Sequence, residues 1–211
     1  VAAPIYLIRH GETQWTLTGQ HTSHTDVPLT ERGEQQARHL GTLLHGLAFD
    51  QVLVSPLQRA RRTCELAGLG AAARVEPNLR EWDYGDYEGQ TPADIRTQRP
   101  GWDVFQHGCP GGESAEQVSA RVDGVVAELG RMDGRVVLFS HGHLLRALAV
   151  RWILLPIRHG RHLDLDPASL SVLTYEHNNV AAPALSLWNA VSNEVFELVP
   201  RQLSSEAAGN S

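Results

Sequence analysis

The sequence predicts an α/β fold, a three-layer sandwich in which a mostly parallel central sheet is flanked by helices. Three observations lead there. Short continuous apolar runs, "IYLI" at Ile5 to Ile8, "VLV" at Val52 to Val54 and "VVLF" ending at Phe139, have the pattern of strands buried on both faces. Between them lie longer segments whose apolar residues recur every three or four positions. The two kinds alternate along the chain, which favours parallel strands joined by helical crossovers. At 211 residues the chain fits one domain, predicted over residues 1–200, with residues 201–211 as a flexible tail.

The elements follow in order. Ile5 to Ile8 is the first strand. Leu29 to Leu47 reads as a helix with Thr30 as N-cap and Ala37, Leu40, Leu44 and Leu47 on one face. Val52 to Val54 is a second strand, ended by Ser55-Pro56, and an Arg-rich helix runs from Leu57 to Ala67 until Gly68 and Gly70 stop it. Arg74 to Glu76 reads as a third strand. Leu79 to Gly89, "LREWDYGDYEG", is a loop rich in glycine and aromatic residues, and Thr91-Pro92 opens a short helix. After a second irregular loop, "HGCPGGES", Ser114 and Gln117 form a capping box for a helix striped by Val118, Val122, Val125 and Leu129. Arg135 to Phe139 is a strand and Leu144 to Leu154 a helix. Leu170 to Tyr175 and Ala184 to Trp188 complete the sheet. "PIRHGRHLDLD", Pro156 to Asp166, reads as a surface loop.

Composition excludes several classes of function. The net charge of −6 and the absence of a long Lys/Arg block argue against a nucleic-acid or membrane partner, which needs a broad basic face. No apolar stretch approaches the roughly 20 residues of a membrane span. Cys64 and Cys109 are the only cysteines, too few for a disulfide framework or a zinc ribbon. The numbering opens at Val1, so the initiator Met, or more, is missing from it, and a reducing cytoplasm is the expected compartment. The oligomeric state stays open, with a homo-oligomer allowed.

"LIRHGE" (Leu7 to Glu12) and "LFSHGH" (Leu138 to His143) echo one another. Each is an apolar run emptying into His-Gly. In open α/β sheets ligands sit outside the carboxyl ends of the strands, so adjacent strands would aim His10 and His141 into one crevice. A single such pattern is ordinary turn chemistry; two at the ends of separate strands are not. Metal binding is the weaker alternative, because Arg9 puts a fixed cation beside His10 and no further His-x-His pair joins His141 and His143. Phosphoryl chemistry suits the residues better. Arg9 and Arg59 offer guanidinium forks matched to phosphate oxygens, and a neutral imidazole between them is a competent nucleophile toward phosphorus.

"RHGET" (Arg9 to Thr13), "SPLQRARRT" (Ser55 to Thr63) and "SHGH" (Ser140 to His143), in that order, resemble the histidine phosphatase superfamily, also called phosphoglycerate mutase-like. The resemblance implies a phosphohistidine intermediate without cofactor or metal and a small phosphorylated substrate. Carried over by position, Arg9, His10, Arg59 and a protonated His141 form the phosphate pocket, with His10 the nucleophile. Glu81 takes the proton-donor role as a carboxylic acid kept protonated in a partly apolar loop, and Asp83 is its nearest rival. Thr16 stands where the family often has Asn. Thr22 and Ser23 align with a loop that touches substrate, and Gly142 lets backbone approach the ligand. Tyr84 either faces the pocket or packs, and Trp82, Tyr87 and Trp102 either wall a small ligand or join the core.

Mutases of this superfamily carry a basic pair and a long basic insertion after the proton donor. Here Trp82 and Asp83 follow instead, which argues for hydrolysis over mutase transfer. "REWDYGDYEG" and "LTYEHNNVAAPALSLW" resemble the sedoheptulose-1,7-bisphosphatase type, and "HGCPGGES" a bacterial broad-specificity acid phosphatase type. The former implies a phosphorylated sugar and gives His177 a substrate contact. A non-catalytic phospholigand-binding protein on the same fold is a further alternative, opposed by the intact set of five catalytic-type residues.

Overall fold

The computed structural model describes residues 3–191. The predicted tail, and the end of the predicted domain at residue 200, lie outside the described residues. In chain order the elements are β1 (Ile5–Arg9), α1 (Gln14–Thr18), α2 (Glu31–Leu43), β2 (Gln51–Val54), α3 (Gln58–Leu66), β3 (Ala73–Val75), α4 (Pro92–Gln98), α5 (Val104–His107), α6 (Ala115–Leu129), β4 (Val136–Ser140), α7 (Gly142–Trp152), β5 (Leu170–Tyr175) and β6 (Pro183–Ala190). The strands form one sheet in the order β3-β2-β4-β1-β5-β6. Its first four members are parallel; β5 runs antiparallel to β1, and β6 to β5.

Two apolar layers enclose the sheet, and strand periodicity explains why. Ile5 and Leu7 of β1, with Val136 and Leu138 of β4, join Val118, Val122, Leu144 and Leu148 on one face. Tyr6, Ile8, Val137 and Phe139 point the other way, onto Leu40, Ala60 and Cys64. The three-layer sandwich is therefore α2 and α3, then the sheet, then α6 and α7. None of the described helices is long and apolar enough to cross a membrane.

Caps set the helix ends. Thr30 accepts from the Gly33 N–H as predicted, but α2 stops at Leu43, four residues short of Leu47, where Leu44 caps it and Gly46 turns with φ +83°. Helix α7 begins at Gly142 rather than Leu144, with His141 itself as N-cap. Within the stretch read as a surface loop, which is largely exposed, Ile157–His162 form a 3₁₀ helix. It packs against α5 and α7 because Gly160 admits the Phe105 ring; a Cβ there would lie 2.5 Å from Phe105 Cε1.

Strand order positions the site. β1 and β4 are neighbours in parallel register, with Arg9 opposite Ser140. β2 lies on the other side of β4, with Val54 opposite Phe139. The residues that follow, His10, His141 and Ser55, therefore leave the sheet together at its carboxyl edge.

Candidate active site

His10 turns off β1 with its backbone N–H on Ser140 O at 2.9 Å. Its Nδ1 lies 2.7 Å from Gly11 O. A carbonyl only accepts, so Nδ1 carries the proton and Nε2 keeps its lone pair. The rings of His10 and His141 stand 5.2 Å apart, centroid to centroid. His141 has the same tautomer, with Nε2 turned to a protein donor instead of left free. Leu57 N–H donates to Ser55 Oγ (3.4 Å), leaving the Ser55 hydrogen for His141 Nε2 at 2.7 Å and the imidazole proton on Nδ1.

Both arginines are anchored through their outer nitrogens. Arg59, on α3 and fully buried, donates from Nη2 to Thr22 O (3.0 Å) and from Nη1 to Thr25 O (3.4 Å), with Asp26 Oδ1 3.9 Å away. Arg9 donates from Nη1 to Leu165 O. Arg9 Nε, Arg59 Nε and His141 Nδ1 are buried with no hydrogen-bond partner among the described residues. An unpaired buried donor costs about 1–3 kcal/mol, so three of them from three segments of chain mark a place shaped for an anion.

Electrostatics decide the protonation states. Burial, then the charges of Arg59 and Arg9, hold the His10 imidazole well below its ordinary range. Burial, then Arg59, His10 and Arg9, do the same for His141. Without an anion in place both rings are held neutral, in contrast to the protonated His141 expected around a bound phosphate: burial and two neighbouring guanidinium groups disfavour a third cation. His141 instead offers a neutral N–H.

Glu81 is buried at the N-terminus of α7. Its Oε1 accepts from Leu144 N–H (2.8 Å) and Trp82 N–H (3.0 Å), and its Oε2 from His143 N–H (3.0 Å). The carboxyl therefore sits among backbone donors rather than in the apolar loop expected, and it does for α7 what a capping side chain usually does. Oε1 is filled by two donors, so Oε2 is the oxygen with room for a proton. Glu81 lines a cavity together with Arg9 and His10. Asp83 does not line it. Burial would raise the Asp83 pKa, but hydrogen bonds from His24 (3.0 Å) and Gly85 N–H (3.0 Å) hold it below the usual value.

The remaining residues named from sequence divide. Thr16, Thr22, Tyr84 and Gly142 line the cavity. The Thr16 hydroxyl, however, donates to Thr13 O (2.8 Å) and accepts from Thr13 N–H (2.9 Å), so it is committed to capping α1. The Thr22 hydroxyl donates to Gln20 O at 3.2 Å. Ser23 does not line the cavity; its N–H and O–H both donate to the Glu88 carboxylate, closing the loop that presents carbonyls to Arg59. Burial pushes the Tyr84 phenol well up, so it stays protonated and donates to His143 Nδ1 at 2.6 Å. Trp82 and Trp102 belong to the core.

His177 is not brought to the site. It follows Tyr175 at the end of β5, with its side chain 92% exposed. Because β5 is antiparallel to β1, its carboxyl end lies at the opposite edge of the sheet. Residues the sequence reading missed also line the cavity: Trp15, Gln20, His21, His143 and Arg146. His143 was visible in "SHGH", two positions past His141 in the first turn of α7; His21 and Arg146 carry no local signal.

An α/β sandwich that brings Arg9, His10 and Glu81 into one cavity wall, with the buried His141 beside His10 and the buried Arg59 near it but neither among the lining residues, has the parts of a phosphoryl-group enzyme. Residues 5–190 match the family model of the histidine phosphatase superfamily (branch 1), and the chain belongs to that superfamily. It is a phosphoric monoester hydrolase. Over 177 residues it is 46% identical to an acid phosphatase from Mycobacterium tuberculosis, covering 82% of this chain and 87% of that one. It is 30% identical to the sedoheptulose 1,7-bisphosphatase of Saccharomyces cerevisiae, covering 86% and 90%. A solved structure of an open reading frame from Mycobacterium tuberculosis superposes with a TM-score of 0.85 at 40% identity, covering 90% of this chain and 99% of that one.

Proposed function

We propose that the protein hydrolyses a small phosphorylated sugar through a covalent phosphohistidine on His10. His10 Nε2 attacks phosphorus while Arg9, Arg59 and the His141 Nδ1–H hold the non-reacting oxygens. The P–O bond to the sugar breaks and the leaving oxygen takes a proton from Glu81. Water then attacks the phosphohistidine, Glu81 takes a proton back, and inorganic phosphate leaves with His10 restored. The observation that carries this reading is the set of three buried donors, without a partner among the described residues, on Arg9, Arg59 and His141 near an imidazole whose tautomer leaves Nε2 free.

A sugar substrate is supported by the similarity to the yeast bisphosphatase and by the cavity wall. Gln20 and His21 offer polar contacts there, and Arg146, held over Phe105 at 4.9 Å with Nε on Gly160 O, adds a guanidinium for a second anionic group. Mutase transfer is disfavoured in the loop after Glu81, where Trp82 is buried and Asp83 is paired with His24. Two buried free thiols, Cys64 and Cys109, support a reducing cytoplasm. The test is a panel of sugar bisphosphates, sugar monophosphates, 3-phosphoglycerate and p-nitrophenyl phosphate, with and without chelator, plus mass spectrometry of quenched turnovers. Phosphate release from a sugar phosphate, insensitive to chelator, with label on His10 is the expected result. Covalent phosphorus elsewhere, or isomerised phosphoglycerate as the main product, overturns it.

A further inference from the structure

The loop that carries Glu81 is held from behind by a buried ion pair. Arg121 on α6 and Glu113, just ahead of that helix, make two bonds, Nη2 to Oε2 at 2.7 Å and Nε to Oε1 at 2.9 Å. Their side chains are 8% and 13% exposed, and neither lines the cavity. The pair grips the backbone on both sides of Glu81. Arg121 Nη1 donates to the carbonyls of Asn78 (2.8 Å) and Arg80 (2.9 Å), and Nη2 reaches Glu81 O at 3.4 Å. Glu113 Oε2 accepts from the Asp83 N–H at 2.9 Å. The Glu113 backbone N–H donates to Asp83 O (2.9 Å), and its carbonyl accepts the Trp82 indole N–H (2.9 Å). Each residue from Arg80 to Asp83 is therefore pinned by one of these two partners.

A buried ion pair is a weak source of stability, since desolvation offsets most of its attraction. This one spends its remaining donors on a single short loop, and a proton donor is the group whose placement matters most to rate: a misplacement of about 1 Å costs on the order of 100-fold. We propose that Arg121 and Glu113 are positioning residues for the Glu81 proton. They fix the carbonyl side of the loop, so that the carboxyl stays between the α7 N–H groups and the leaving oxygen. The inference rests on Glu81 as proton donor. In that step His10 Nε2–P forms as P–O breaks, the P–O electron pair stays on the leaving oxygen, and the Glu81 proton joins it.

Leaving-group dependence tests this. A sugar alkoxide needs the proton; p-nitrophenolate leaves without it. For Glu81→Gln, kcat/KM should fall by about 100-fold or more on a sugar phosphate and by less than about fivefold on p-nitrophenyl phosphate. Arg121→Gln should lose about 10- to 100-fold in kcat/KM on the sugar phosphate and less than about threefold in kcat/KM on p-nitrophenyl phosphate, whose phosphorylation step needs no proton, with Arg121→Lys recovering part of the loss. Where Arg121→Gln does not fold, Glu113→Gln carries the same test, because its amide oxygen still accepts one bond. Equal losses in kcat/KM on both substrates, or none on either, overturn the positioning role. A Glu81→Gln variant indifferent to leaving group overturns the donor reading itself, a separately visible result.

Discussion

Replacing Gly142 with Ala should move stability and activity in opposite directions. Gly142 opens α7 with ordinary negative φ, so Ala fits its backbone, and the smaller freedom of the unfolded chain should stabilise the fold by about 0.5 kcal/mol. For a chain of this size that is about 1–2 °C in Tm. The new methyl, however, would stand 3.3 Å from Arg9 Cζ and 3.4 Å from Arg9 Nε, a few tenths of an ångström inside ordinary contact. Arg9 has little room to yield, because its Nη1 is tied to Leu165 O. The displaced group is the one whose Nε the proposed mechanism assigns to phosphate. Losing a charge-assisted bond costs about 1.5–3 kcal/mol, hence about 10- to 100-fold in kcat/KM. Scanning calorimetry and steady-state hydrolysis of p-nitrophenyl phosphate on the same preparation read both effects, and the inhibition constant for inorganic phosphate should rise in step. Full activity at a raised Tm would refute the close approach of Arg9 to substrate, and a Tm lowered by several degrees would refute the backbone reasoning.

Ser55→Ala removes the hydroxyl that sets the His141 tautomer, and a loss of about 1 kcal/mol in transition-state binding, about fivefold in kcat/KM, is expected with Tm nearly unchanged; unaltered kinetics would dissociate Ser55 from the site. Gly85→Ala should lower Tm by about 5–15 °C, because φ is +50° and a Cβ would lie 2.3 Å from both Gly112 N and Pro110 O, adding strain and overpacking of about 2–4 kcal/mol; an unchanged melt would show that the two loops separate freely. Acid should unfold the protein earlier than carboxylates alone require. Burial lowers His21 from 6.5 to about 4, so the unfolded chain binds a proton there that the folded one refuses; above pH 6.5 this term vanishes, and stability falls by up to ~3 kcal/mol as pH drops from 6.5 toward 4. Urea melts across that range should steepen for the parent and flatten for His21→Gln, and equal slopes would count against a buried neutral His21.

The legible parts of this protein were those governed by local rules. Residues Ile5 to Ile8 and Val136 to Phe139 read as buried strands because both faces are apolar, and Thr30, Thr91 and Ser114 read as caps because their hydroxyls satisfy N–H groups within three residues. The substrate contact that the resemblance implies for His177 is not met for a directional reason: β5 runs antiparallel to β1, so its carboxyl end lies at the other edge of the sheet. Ser23 failed because its hydroxyl met Glu88, a partner 65 residues distant.

What the amino-acid order alone determined is the alternating α/β pattern and the identity of the groups suited to phosphate, since periodicity and side-chain chemistry are properties of short stretches. Only the tertiary structure decided that β4 lies between β1 and β2, and this adjacency is what sets His10 against His141 and gives His141 its Ser55 partner. It also decided the burial that disfavours charge on His10 and His141, the placing of Glu81 rather than Asp83 in the cavity wall, and the further walls at His21, His143 and Arg146. Each of these depends on burial and on distances between remote segments, quantities that exist only once the chain has closed around them.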